Sequence, residues 1–268
     1  MKKIKGKINK YLVMALLAIL VLIVPHIAPN LYIVQIINMI GIYIILAIGV
    51  NILTGYSGQL SFGQAAFYGI GAYSAALLNT NYGLPFAIVL PIAIIITAVF
   101  GIILAIPAIK VKGPYLALVT IAFGEVVRIV MVNWKEVTKG TAGIVGIDPP
   151  IVFGYRFDNL VSYYYLILAF VIIGLTYQSI LIKSRTGRAF IAIREDSQAA
   201  ELTGINVVSY KIKAFVISAV YSAVAGVLYA MMIRYISPDT FTSNDSSIII
   251  WTAMVGGLGT LIGPVLGG

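Results

Sequence analysis

From Leu31 onward the chain is built from apolar runs separated by short polar joints. Most of these runs are roughly the length a helix needs to cross a bilayer, about twenty residues at about 1.5 Å each. Bilayer hydrocarbon offers no water, so each backbone N–H and C=O must pair within the protein. Helices do this segment by segment, whereas a β-barrel would show short alternating segments. Composition agrees: 60% of residues are hydrophobic and 10% are charged, outside the range of soluble domains. The expected fold is all-α, a polytopic transmembrane helical bundle forming a single domain over residues 1–268.

About eight membrane segments are expected: Tyr11 to about Ala28, Leu31 to about Leu53, a glycine-rich segment from Thr54, Leu84 to Ile109, Pro114 to about Asn133, Val161 to Ile182, Ile212 to about Arg234, and Ile248 onward. Basic residues orient them. Lys2, Lys3, Lys5, Lys7 and Lys10 precede the first run, Lys110 and Lys112 follow the fourth, and residues 183–213 hold six more. These thirteen of the eighteen Lys and Arg residues fall on one side, which the positive-inside rule makes cytoplasmic. The N-terminus is therefore expected in the cytoplasm, and residues 134–160 on the outer face. The net charge of +9 follows from this topology and is no sign of a nucleic-acid partner. The first run is either a retained helix or a cleaved signal peptide; Pro29 directly after Ala28, with no small-x-small site, favours the helix. The last run ends in an apolar, glycine-rich stretch without a charged tail, so a closing helix is expected to be missing.

Three stretches stand out. Residues 183–213 carry nine of the chain's charges, too patterned for a slack linker. Within them, residues 197–204 read as a short helix. Glu195 and Asp196 stand at its start, where the helix dipole favours negative charge, and Gly204 stands at its end as a terminator. Ala199 and Ala200 are expected to leave a low surface for a partner's groove. Arg185, Arg188 and Arg194 are placed for anionic lipid or a partner's carboxylates; the alternative is a solvated loop. The second stretch carries Gly55, Gly58, Gly63, Gly69 and Gly71 among polar residues. It is either small-residue packing or a discontinuous helix lining a pathway, with Thr54, Gly58, Gln59, Ser61, Gly63 and Gln64 as its candidates. Gly256, Gly257, Gly259 and Gly263 loosely echo it, as paired interrupted segments do around a central path. The third is Glu125 and Arg128, three residues apart on one face of a membrane segment. Paired and turned inward, they either lock helix positions or support transport geometry.

Chemistry is excluded more firmly than binding. There is no cysteine, and His26 is the single histidine, at the outer end of the first run, so no metal site is expected. No GxxxxGK[ST] loop and no nucleophile–base pair appears, so no catalytic residue and no cofactor bound by this chain is expected.

The motifs carry a resemblance. Gln198-Ala199-Ala200-x-x-x-Gly204 resembles the EAA loop of ABC importer permeases, with Gln for the usual Glu and without the following Ile-x-Leu-Pro. NILTGYSGQLSFGQAAFYGIGAYSAALL at 51–78, TIAFGEVVRIVMVNW at 120–134, TKGTAGIVGI at 138–147, YKIKAFVISAVYSAVAGVLYA at 210–230 and the terminal GGLGTLIGPVLGG resemble LivM-type branched-chain amino acid permeases. Lys139 stands where a glycine is common. The resemblance covers essentially the whole chain after the first run.

It implies one permease subunit of an ABC importer in the cell membrane, paired with a second related permease, two cytoplasmic ATPase subunits that use ATP and Mg, and an extracytoplasmic substrate-binding protein. Arg194–Gly204 would be the coupling helix, with Arg188, Arg194, Glu195, Asp196, Gln198, Ala199, Ala200, Glu201 and Gly204 as the ATPase-coupling residues. An ABC permease for urea, amides or another small polar solute remains open. So does an ion-coupled secondary transporter, although Glu125 beside Arg128 should stay ionised and makes a poor proton carrier.

Overall fold

The computed structural model describes residues 22–26, 29–111, 113–152 and 154–268. The N-terminal lysines, Lys112 and most of the run from Tyr11 to Ala28 lie outside the described residues, and with them the choice between retained helix and signal peptide. Residues 22–26 are helical, and His26 Nε2 lies 3.1 Å from the Tyr165 hydroxyl.

The apolar runs form the long helices α1 (Leu31–Val50), α2 (Gln64–Tyr82), α3 (Phe86–Ile109) and α4 (Pro114–Asn133). After the short α5 (Lys135–Thr138) come α6 (Leu160–Lys183), α7 (Arg185–Glu195), α8 (Ser197–Leu202), α9 (Val207–Ile233), α10 (Ser243–Gly256) and α11 (Gly263–Gly267). Their starts follow local chemistry. Asn30, Asn159 and Asn206 cap α1, α6 and α9 through their side-chain oxygens, and Pro114 occupies the first turn of α4, where its missing N–H costs nothing. Thr242 and Asp245 close a reciprocal capping box at α10.

Among the described residues, five helical segments are long and apolar enough to cross a membrane: Leu31–Tyr56, Phe86–Ile109, Pro114–Asn133, Leu160–Lys183 and Val207–Ile233. The chain is an all-α polytopic membrane protein. The glycine-rich α2 and the 14-residue α10 fall short of that standard, because polar residues dilute the first and the second is about 21 Å long at 1.5 Å per residue.

α9 is the hub and packs against α1, α2 and α3. Small residues set its closest approach. A Cβ added at Gly71 of α2 would lie 2.6 Å from Ala223 Cα, and one at Gly226 of α9 would lie 2.7 Å from Ala72 N. The two backbones therefore touch where each helix lacks a side chain. The outer surfaces of α3, α4 and α6 expose Ile95, Ile103, Leu118, Ile172 and Ile180, the apolar exterior that lipid requires. Residues 134–160 fold around α5, a 3₁₀ turn at Gly140–Ala142 and two short antiparallel pairs. In these, β1 (Ile144–Val145) pairs with β4 (Tyr235–Ile236), and β2 (Ile151–Val152) with β3 (Tyr155–Arg156).

Candidate functional site

Residues 183–213 are ordered throughout as α7, α8 and the first turns of α9. α8 follows the sequence expectation closely. The Asp196 carboxylate accepts from Gln198 N at 2.8 Å and Ala199 N at 3.1 Å, satisfying orphan amides of the first turn. Thr203 closes the helix, and Gly204 follows at φ +85°, a left-handed position that favours glycine. Gln198, Ala199, Glu201 and Leu202 face outward, Leu202 with 90% exposure. Ala200 departs from expectation. It is 3% exposed, so it belongs to the inner face of α8. The low outer surface is offered by Ala199 alone, because two neighbours in a helix point about 100° apart.

Arg188 donates to the Lys183 carbonyl at 3.0 Å, capping the end of α6. Arg194 turns toward the bundle. Its Nη1 donates to the Gly55 carbonyl at 2.9 Å, while Nη2 holds Glu195 Oε1 at 2.6 Å.

The helix containing Gly55 breaks as the polar glycine-rich sequence suggested. α1 passes into a π-helical turn, Asn51–Tyr56, and residues 57–63 form an irregular, non-helical connection, with Gly58 at φ +71°, before α2 begins at Gln64. Several of the freed backbone and polar groups find partners inside the protein, as membrane depth demands. Thr54 Oγ1 donates to the Gln59 carbonyl at 3.1 Å, and Gln59 Nε2 donates to Ser57 Oγ at 2.9 Å. Ser61 Oγ accepts from Gly63 N. Gln64 binds two serines in the middle of α9: its Nε2 donates to Ser218 at 3.0 Å, and its Oε1 accepts from Ser222 at 2.9 Å. The start of α2 has no side-chain cap of its own. Ser246 of α10 accepts from Ala65 N at 2.9 Å, and Thr120 of α4 accepts from Phe62 N at 2.9 Å. Gln59, Ser61, Gln64, Thr120, Ser218, Ser222 and Ser246 are all buried. Of the nominated pathway residues, Gln59, Ser61, Gly63 and Gln64 thus belong to a buried polar seam at the junction of α2, α4, α9 and α10. Gly58 is exposed and Thr54 partly so.

Next to the seam lies an aromatic plug. Phe241 is 3% exposed, with its ring 5.1 Å from Tyr68, 6.1 Å from Tyr73 and 6.3 Å from Tyr229. It seats against Gly69, where an added Cβ would lie 3.0 Å from the Phe241 ring. Ser218, Ser222, Ser246 and Phe241 escaped the sequence reading. They belong to three separate segments whose convergence on α2 has no local signal.

Glu125 and Arg128 pair as expected, Nη2 to Oε1 at 2.6 Å, with Asp239 at 4.0 Å from Arg128. Their setting differs from expectation. The side chains are 41% and 30% exposed, so the pair looks out of this chain rather than into its interior, because α4 packs at the edge of the bundle. Glu125 lies about 17 Å along α4, at about 1.5 Å per residue, past the middle of a helix long and apolar enough to cross a membrane.

The glycine-rich ends meet. Gly259 N donates to Asn51 Oδ1 at 2.7 Å, and Asn51 Nδ2 donates to the Thr260 carbonyl at 2.7 Å. The echo noticed between the two glycine series is thus a direct contact between the helix break and the turn joining α10 to α11. Among the described residues no cluster of three His, Cys, Asp or Glu side chains is placed to hold a metal ion.

A bundle of apolar helices around buried polar side chains, with a charged helix pair at one end, defines a polytopic helical membrane protein. The chain belongs to the family described as branched-chain amino acid transport system / permease component, whose model matches residues 32–268. It is 36% identical to the high-affinity branched-chain amino acid transport system permease protein LivM of Salmonella typhimurium and to that of Escherichia coli. Both alignments run over 256 residues, 87% of this chain and 60% of each relative. A probable LivM of Methanocaldococcus jannaschii is 23% identical over 85% of the chain and 75% of that relative. The chain thus spans about three fifths of the length of the first two relatives. No solved structure matches it.

Proposed function

We propose that this chain is a permease subunit of an ATP-driven importer of branched-chain amino acids. Solute released by an extracytoplasmic binding protein would cross at the polar seam. Family membership and the LivM relatives support the substrate class. The arrangement proposed is about eight membrane segments with a cytoplasmic N-terminus, residues 183–213 in the cytoplasm and residues 134–160 outside, in the cell membrane.

The observation that carries the importer reading is α8. It is a short, doubly capped helix that turns Gln198, Ala199, Glu201 and Leu202 outward at the end expected to be cytoplasmic, where an ATPase groove would seat it. Two such ATPase subunits, using ATP and Mg, would drive the cycle. The open Glu125–Arg128 pair supports a second permease as partner. Charges at membrane depth face protein or water rather than lipid, and this pair's exposed side needs such a neighbour. Conformational drive would come from differential affinity of the ATPases for the two permease states.

The test is cross-linking. The chain has no cysteine, so Gln198→Cys places a unique thiol on the outward face of α8. Capture of an ATPase subunit in native membranes is the expected result. No capture by a reactive, correctly inserted thiol would overturn the coupling role and favour a self-sufficient transporter.

A further inference from the structure

Arg194 is the last residue but one of α7 and stands two residues before Asp196, the cap of α8. Its side chain nonetheless points away from the surface that α8 offers. Nη1 holds the carbonyl of Gly55, inside the π-helical turn. Carbonyls at a helix end lack intrahelical partners and carry the negative end of the dipole, so a guanidinium satisfies both needs. The stem packs on Gly58, where an added Cβ would lie 2.9 Å from Arg194 Cγ, and Gly58 itself is at φ +71°. A Cβ at Gly259 would lie 3.0 Å from Arg194 Nη1. One planar cation, its side chain 38% exposed and its other edge held by Glu195, therefore touches both the helix break and the turn joining α10 to α11. Asn51 ties the last two together through two bonds of 2.7 Å.

We propose that Arg194 is a positioning residue that carries movement of α8 into the break between α1 and α2 and into the α10–α11 turn. This rests on the importer reading above. The seam begins where that break ends: residues 57–63 lead directly from Arg194's contacts to Gln64 and its serine partners. A shift of α8 that drags the Gly55 carbonyl and Gly58 would act on Gln64 through a connection of only five residues, 59–63. The outward face of α8, which an ATPase would seat, does not include this contact, so docking and transmission are separable.

The test uses the complete importer in proteoliposomes, with solute uptake and ATP hydrolysis measured on the same preparation. Arg194→Met keeps the stem on Gly58 and removes the guanidinium. Uptake per ATP hydrolysed by the assembled complex should fall about fivefold or more, the lower end of ordinary coupling between sites. A merely structural role would lower assembly and scale both activities together. An unchanged ratio of uptake to hydrolysis in the assembled complex would overturn the proposal. Should Arg194→Met fail to assemble, Arg194→Lys, which keeps the charge but not the planar fork, is read the same way: a reduced ratio supports the relay and an unchanged one rejects it. Absence of ATP-dependent uptake in the unmodified complex would instead reject the importer reading, and the relay with it.

Discussion

Asn51 is fully buried, and its amide serves another segment's backbone as both donor and acceptor. Asn51→Leu would leave Gly259 N–H and the Thr260 carbonyl without those bonds, at about 1–3 kcal/mol for each buried group left unpaired. The expected outcome is a lower thermal unfolding midpoint of the detergent-purified protein, read by the fluorescence of its tryptophans. Phe241 poses a different question. Its ring fills the notch at Gly69 among three tyrosines. Phe241→Ala would leave that space unfilled next to the polar seam. Passive solute flux through proteoliposomes without ATP should rise several-fold if the ring seals a path; flux at the original level would make it ordinary packing.

At the scale of elements, α8 depends on one cap. Asp196→Ala removes both bonds to the first turn and should cost about 1 kcal/mol of local helix stability. Amide hydrogen exchange at residues 198–200 should speed up, while Asp196→Asn, which keeps an acceptor, should change it less. The approach of α2 to α9 has no such tolerance. Gly226→Val would drive two methyl groups beyond the Cβ into α2, where the Cβ alone already meets Ala72 N at 2.7 Å. Such overpacking costs about 1–3 kcal/mol or more in a dense core, and membrane-inserted protein yield should fall. The start of α8 was legible at Asp196, whereas α9 begins at Val207 behind the Asn206 cap, five residues before the expected Ile212. The boundary of α2 was not legible either. Its start at Gln64 is set by Ser246 and Thr120, which come from α10 and α4.

At the scale of the whole molecule, the Glu125–Arg128 pair shows where this chain is incomplete as a packed object. Arg128→Gln would leave the Glu125 charge without its nearest partner at membrane depth, while Glu125→Gln would do the reverse. Each should reduce cross-linking to a second permease and reduce uptake; the double change, which removes both charges, should restore part of both. Normal assembly and uptake in all three would mean that the pair serves neither.

The sequence by itself determined the all-α polytopic class and the short capped helix within residues 197–204, because length, hydropathy and capping act over a few consecutive residues. It left open whether the glycine-rich segment after Leu53 is small-residue packing or a discontinuous helix, and the structure shows the break. Only the tertiary structure decided what meets that interruption. The pairing of Asn51 with the 259–260 turn, the turning of Arg194 toward Gly55, the inward face of Ala200 and the outward face of Glu125–Arg128 all depend on how helices distant in sequence are rotated against one another. Rotation about a helix axis is set by the summed packing of every neighbour. A helix of low amphipathicity such as α9, apolar on nearly all sides, leaves almost no trace of that choice in its own residues.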